Sequence, residues 1–356
     1  MPHHRSRSKI SGVAAASAGL WLARGNVALY WGQNSYNQGS GDLAQQPLAT
    51  YCANTDIDII PMAFMVQVTS GQGKEPVINF ANQQNNCTVF PDTGLMDCPQ
   101  IGDDIKTCQQ KYGKTILLSI GGATYTEGGF ASKDAAIAAA NLVWNTFGPT
   151  SGSSSTQTYR PFHDAVIDGF DLDLETAVQN FNPFAAQLRS LMDADKSKKY
   201  YLTAAPQCPY PDAADDSMLN GAAGMDKVNF DAIFVQFYNN YCGTNSYVAN
   251  ATTQNNFNFE TWDNWATTKS ANKDVKVFLG VPAGQSAAGT GYLSADALKP
   301  VIDYCKTFKS FGGVMAWDAS QAYANKGFLD GVKTALGDSS KKARLIRRTL
   351  AREWWG

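Results

Sequence analysis

Apolar and β-branched residues concentrate in eight runs between residues 26 and 320: NVALYWGQ (26–33), DIDIIPMAFMVQV (56–68), KTILLSIGG (114–122), AVIDGFDLDLE (165–175), KYYLTAAPQ (199–207), DAIFVQFYN (231–239), DVKVFLGVPA (274–283) and GGVMAWDAS (312–320). Each run has the length and residue types of a strand, and most of the intervening segments are long enough for a helix. DAAIAAANLVWNTF (134–147) and NPFAAQLRSLMDA (182–194) read as helices. Strand alternating with helix is the pattern of βα units feeding a parallel sheet. Eight units over roughly 300 residues predict a closed (β/α)8 barrel as a single domain. An open doubly wound sheet is the rival, but no GxGxxG turn follows the first run as dinucleotide binding requires. Each run begins apolar and ends polar, as in Trp31-Gly32-Gln33, Gln236-Tyr238-Asn239 and Trp317-Asp318. In a barrel these endings collect on the C-terminal face, where active sites of that fold lie.

The fourth run carries the densest chemistry. In DGFDLDLE (168–175), acids at Asp171, Asp173 and Glu175 alternate with Phe170, Leu172 and Leu174. Successive residues of a strand face opposite sides, so three acids share one face and the apolar residues share the other. Facing a core, such a row retains protons, because burial and like charge both disfavour ionisation. A retained proton at neutral pH is what a general acid needs. Taken alone, the segment also reads as an acidic surface strand or a metal-binding row. Asp168 falls on the opposite face, toward the helices, and reads as structural. His163, just before the strand, reads as a loop residue.

Composition and charge narrow the class. Residues 1–25 hold Arg5, Arg7, Lys9 and Arg24, and residues 341–356 hold six basic side chains against Glu353. Of the 29 basic and 31 acidic residues, 19 and 30 lie between, so the body carries about −11. An acidic body argues against nucleic acid as a partner. No uninterrupted apolar stretch is long enough to span a membrane. The basic start followed by ISGVAAASAGLWLA (10–23), with Ala23 and Gly25 flanking Arg24, resembles a secretion signal over residues 1–25. The tail, 338–356, is basic with scattered Leu and Trp and is expected to be poorly ordered. Seven cysteines without a CxxC pair, and only three histidines, form a poor zinc set and a plausible disulfide set with one left over. Asn86-Cys87-Thr88 and Asn250-Ala251-Thr252 are glycosylation sequons. Export, to the extracellular space or cell wall, is the expected localisation.

Beyond the acidic row, LYWGQN (29–34), SIGG (119–122), TAAPQCPYPD (203–212), VQFYNN (235–240) and GGVMAW (312–317) follow in order along the chain. With DGFDLDLE these motifs resemble the glycoside hydrolase family 18 chitinases of the compact class III fungal and plant type, over about residues 26–336. The resemblance implies a catalytic barrel over 26–337 without the α+β insertion some relatives carry between the equivalents of Tyr238 and Trp317. It implies a retaining, substrate-assisted hydrolysis of β-1,4 bonds between N-acetylglucosamine units, with no cofactor and no metal. Glu175 is then the general acid and base, with Asp173 and Asp171 sharing a proton beneath it. Asp173 orients the substrate acetamide and Tyr238 hydrogen-bonds its oxygen. Trp317 is the aromatic floor. Gln236, Asn239 and Tyr30 are expected to line the same pocket, and Gly121 and Gly122 to allow close backbone approach. The resemblance also implies the bridges Cys52–Cys108, Cys87–Cys98 and Cys208–Cys242, leaving Cys305 as a buried thiol. The segment ATYTEGGF (123–130) departs from the plant pattern. Chitin or chito-oligosaccharides are the expected partners, and the chain is expected to be a monomer. Two other readings stand beside this one: a catalytically inactive chitin-binding lectin or inhibitor on the same fold, and an endo-β-N-acetylglucosaminidase.

Overall fold

The computed structural model of the protein describes residues 24–150, 158–222 and 224–337. The candidate leader, but for Arg24 and Gly25, and the tail 338–356 lie outside the described residues. All eight apolar runs form parallel strands: β1 Asn26–Leu29, β2 Ile59–Gln67, β3 Thr115–Gly121, β4 Gly169–Asp173, β5 Tyr201–Ala204, β6 Ala232–Gln236, β7 Lys276–Pro282 and β8 Phe311–Trp317. Each pairs with its chain neighbours, and β1 pairs with both β8 and β2. The sheet therefore closes into a (β/α)8 barrel and leaves no parallel edge unpaired.

Two apolar layers follow from the alternation of side chains. Ala28, Tyr30, Leu117, Tyr201, Phe234, Phe278 and Met315 form the cluster inside the barrel. Phe170, Leu172, Leu174, Leu118 and Val235 belong to the larger cluster between the sheet and its helices. The odd-numbered positions of β4 thus face inward, where the acids stand.

The crossovers are less uniform than the strands. Helices α1 Leu48–Cys52, α2 Pro99–Gln110, α3 Lys133–Phe147, α4 Phe181–Ala194, α5 Asp216–Leu219 and α6 Phe259–Asn264 follow β1 to β6 in turn. After β7 comes α7 Ala295–Cys305, and after β8 come α8 Ala319–Ala324 and α9 Phe328–Leu336. The long stretches read as helical from sequence are α3 and α4. Ser132 starts α3 by accepting a hydrogen bond from the Ala135 amide at 3.1 Å. The connections after β1 and β5 hold only four or five helical residues. Their Gly, Asn, Pro and Asp content stabilises turns and offers no long apolar stripe. Between β2 and α2 the chain adds an antiparallel partner, Val77–Ile78, and a two-stranded hairpin, Thr88–Val89 with Met96–Asp97. From Tyr238 to Trp317 no sheet is added outside the barrel among the described residues.

The cysteines pair as Cys52–Cys108, Cys87–Cys98 and Cys208–Cys242, as the resemblance implied, and Cys305 is a buried free thiol. The first bridge ties α1 to α2. The third joins the segments that leave β5 and β6 on the C-terminal face.

Candidate active site

Asp171 is fully buried at the middle of the barrel. Its register partners are Ser119 on β3 and Thr203 on β5, the two strands flanking β4. Both hydroxyls donate to its carboxylate at 2.6 Å, and the Tyr30 hydroxyl arrives from beyond the end of β1 at 2.6 Å. Burial raises the Asp171 carboxyl, while the three donors favour its charged form and oppose that rise. Asp171 is therefore a buffered acceptor beneath the row rather than a group open to the cleft.

Asp173, one pleat higher, is 4% exposed and accepts from the Gln236 side-chain amide at 2.9 Å. The same amide reaches the Ala205 carbonyl at 2.9 Å, which fixes its orientation. Burial pushes the Asp173 carboxyl well above its usual range, and the charges of Glu175, Asp171, Asp215 and Asp212 add to the rise. The strand ladder ends at Asp173, so Glu175 lies two residues beyond it, exposed at the cleft rim. Even there, partial burial of its carboxyl raises its pKa. Tyr238, 8% exposed, is raised well above its ordinary value by burial and then by Asp173 and Glu175. These groups titrate together, and each holds its proton to higher pH than it would in water.

Asp173, Glu175, Gln236, Tyr238 and Trp317 line one cavity of about 310 Å³. The Trp317 ring stacks on Phe64, centroids 5.7 Å apart and planes 20° apart, and leans on Tyr30 at 5.5 Å. Phe64 thereby stiffens an aromatic floor that has an apolar face toward the cavity. Tyr30 itself is 1% exposed and its hydroxyl is engaged by Asp171, so it supports the acidic row from beneath. Asn239 borders the cavity, but its side-chain oxygen accepts from the amides of Gly289 and Thr290 at 2.8 and 3.2 Å. It ties the β6 loop to the β7 loop. Gly121 and Gly122 meet protein rather than open space. A Cβ on Gly121 would stand 2.1 Å from the Asp173 carbonyl oxygen, and one on Gly122 would stand 2.6 Å from the Phe64 ring. Their φ values of 122° and 77° also favour glycine.

Asp168 faces the helices. It accepts from the Ile116 amide and the Gln109 side chain at 2.9 Å each, and it pairs with Lys198 at 2.8 Å. His163 is exposed, 2.7 Å from Asp97, away from the row.

Several contributors were not singled out as site residues from the sequence. Ser119 and Thr203 stand inside SIGG and TAAPQ as ordinary strand residues, and only the register joins them to Asp171. Phe64 reaches Trp317 from a strand some 250 positions earlier in the chain. Gln207 and Asn240 bond one another at 2.9 Å along the cavity wall. Asp215 is fully buried with neither carboxylate oxygen hydrogen-bonded among the described residues. Burial lifts it well above the usual carboxyl range, with Asp212 and Asp171 adding to the rise. The described residues hold no group of three or more His, Cys, Asp or Glu placed to bind a metal ion. Among them, no helix is long and apolar enough to cross a membrane.

A barrel with an inward acidic row at the C-terminal end of its fourth strand, above an aromatic floor, is the arrangement of a glycoside-cleaving enzyme. The profile described as glycosyl hydrolases family 18 matches residues 26–291, and the chain belongs to that family. It is 53% identical over 342 residues to a class III chitinase of Arthroderma benhamiae, covering 96% of this chain and 94% of the relative. It is 48% identical over 312 residues to endochitinase 33 of Trichoderma harzianum, covering 87% and 91%. Among solved structures it is similar to a xylanase and alpha-amylase inhibitor protein from Scadoxus multiflorus, with a TM-score of 0.67 at 29% identity, covering 87% of this chain and 98% of the other.

Proposed function

We propose that the protein is a secreted chitinase that hydrolyses β-1,4 bonds between N-acetylglucosamine units with retention of configuration. The observation that carries this reading is the carboxyl pair at the cavity. Glu175 at the rim and Asp173 below it, both held toward their protonated forms, are the acidic side chains lining the cavity. No further carboxylate faces Glu175 across the cavity among its described lining residues. Asp173 belongs to the same strand segment as Glu175 and is engaged by the Gln236 amide, which suits the substrate-assisted exception to the two-carboxylate scheme.

In that mechanism Glu175 gives its proton to the glycosidic oxygen. The acetamide oxygen of the sugar attacks the anomeric carbon as the leaving chain departs. Asp173 orients the acetamide nitrogen and offsets its growing positive charge, while the Tyr238 hydroxyl steadies the acetamide oxygen. Water then opens the cyclic intermediate from the face the leaving group vacated, and Glu175 takes up the water proton. Trp317 supplies the apolar floor on which the pyranose ring rests. Positioned proton transfer of this kind contributes about 10²–10⁴-fold in rate.

Export is part of the proposal. Three disulfides and the exposed sequon residues Asn86 and Asn250 suit an oxidising compartment. The inhibitor among the structural relatives makes a binding-only role the second reading. Incubation with N-acetylglucosamine tetramer, followed by proton NMR, separates the two. Early β-anomer at the new reducing end is the expected result. A tetramer that binds but is not cleaved would reject the chitinase reading in favour of the binding one. Release of glycans from a glycoprotein with no cleavage of the tetramer would point to the endo-glycosidase chemistry.

A further inference from the structure

The segment that carries Glu175 is thinly held. It lies past the end of β4, residues 175–177 and 179 are exposed, and no hydrogen bond to the Glu175 side chain occurs among the described residues. Leu174 and Val178 pack its apolar side on the core, and its hydrogen bonds run to the loop that follows β3. The Gln179 amide donates to the Gly128 carbonyl at 2.9 Å, and the Phe130 amide donates back to the Gln179 carbonyl at 2.8 Å. The Asn180 side chain donates to the Phe130 carbonyl at 2.7 Å. Gly129, at φ 92°, sits so close that a Cβ there would be 2.0 Å from the Gln179 oxygen. The two segments thus meet backbone to backbone, and the placement of one depends on the placement of the other.

The β3 loop in turn needs an anchor, because its own residues 123, 124, 126 and 128 are exposed. One side is rooted by Tyr125 and Phe130, whose rings pack on Phe181 at 6.1 and 5.4 Å. The other side is held by Glu127. Its carboxylate accepts from three consecutive amides of the segment that follows β2: Val68 at 2.5 Å, Thr69 at 2.9 Å and Ser70 at 2.7 Å. Successive amides converging in this way form an anion-binding concavity, and here the anion is supplied by the chain itself. Charge-assisted bonds of this type are stronger than neutral ones. The link runs from the β2 segment through Glu127 to Gly128 and Gly129, and from there through Gln179 to Glu175. Ala123 of the same loop lines the cavity, so the loop is also part of its wall.

We infer that Glu127 is a positioning residue for the general acid: by seating its carboxylate on the amides of Val68, Thr69 and Ser70 it fixes the β3 loop, and that loop holds the Glu175 segment at the cleft rim. The inference rests on the reading of Glu175 as the acid. It also gives a use to the ATYTEGGF stretch, the part of the sequence that the motifs left without a role. Removing the carboxylate frees the loop, lets the Glu175 segment move outward, and exposes its carboxyl to water. A better-hydrated carboxyl ionises at lower pH, so the basic limb of activity moves down.

The test compares wild type with Glu127→Ala, Glu127→Gln and, as a control on the same loop, Thr126→Ala. Hydrogen exchange of the peptide spanning 175–180 is followed together with the pH dependence of kcat/KM on N-acetylglucosamine tetramer. In Glu127→Ala, exchange of that peptide is expected to be at least tenfold faster. Its kcat/KM should fall at least tenfold, with the loss mainly in kcat, and its basic limb should lie about half a pH unit lower. Glu127→Gln keeps one oxygen for Thr69 and Ser70 but turns an amide toward Val68, and should fall between. Thr126→Ala should match wild type in both readouts. Unchanged exchange at 175–180, or an unchanged basic limb in an active Glu127→Ala protein, would overturn the inference. Faster exchange spread evenly over the barrel strands would also overturn it, by making Glu127 a general stabiliser. An inactive wild type would instead remove Glu175 from its role, while the exchange comparison alone still decides whether Glu127 holds the segment.

Discussion

Glu175 and Asp171 belong to one strand motif, yet their surroundings are opposite. Asp171 is saturated by three hydroxyls inside the barrel, whereas the side chain of Glu175 has no such hold at the rim. Glu175→Gln removes the proton that the proposed mechanism transfers, while keeping the shape and one acceptor. It should cleave N-acetylglucosamine tetramer at least about 100-fold more slowly, as expected for loss of a positioned acid. It should still bind the tetramer, as calorimetry can show. Near-normal turnover would take Glu175 out of the mechanism. At this scale the sequence was informative about facing and silent about partners. Alternation alone puts residues 171, 173 and 175 on one side of β4 and 168 on the other. It says nothing of Phe64 under Trp317, or of Asn239 being engaged by the β7 loop, because those contacts join residues far apart in the chain.

At the scale of elements, two of the loops that frame the cleft are fastened covalently, by a bridge the resemblance implied. The Cys208–Cys242 bridge joins the exits of β5 and β6, next to Gln207 and Asn240 on the cavity wall. Replacing both cysteines by serine should lower unfolding stability by about 2–5 kcal/mol, as measured by urea titration, and should loosen the loops beside Tyr238. A midpoint equal to that of wild type would mean the bridge adds nothing to the fold. Strands and the long helices α3 and α4 were legible from the pattern of apolar positions. The brevity of α1 and α5 was not, since a segment long enough for a helix need not contain an apolar stripe that can pack one. The hairpin after β2 carries too few residues per strand to register as a pattern.

Over the whole molecule, the acids buried around β4 couple stability to pH. Asp215 ionises near 3.9 in an unfolded chain but is held well above that when folded, first by burial and then by Asp212 and Asp171. Between those two pKa values the folded state holds the extra proton, so stability falls as pH rises, by up to about 1.4 kcal/mol per pH unit for one such group. Asp215→Asn keeps the shape and removes the titration. It should match wild type near pH 3.5 and gain stability over it from pH 5 to 7, read from urea midpoints. A constant difference at all three pH values would show that the carboxyl ionises normally in the fold. Closure of the barrel is what brings this charge load together. By itself the sequence determined the number and order of the strands, the shared facing of Asp171, Asp173 and Glu175, and the polar character of the strand ends, because each is set by local alternation and spacing. The tertiary structure decided the rest: the turning of that acidic face into the barrel, hydroxyls from β3, β5 and the residue after β1 meeting on Asp171, a buried Asp215 beside them, and a carboxylate of the β3 loop gripping the segment after β2. Those meetings depend on register and curvature around a closed sheet, which no single stretch of chain encodes.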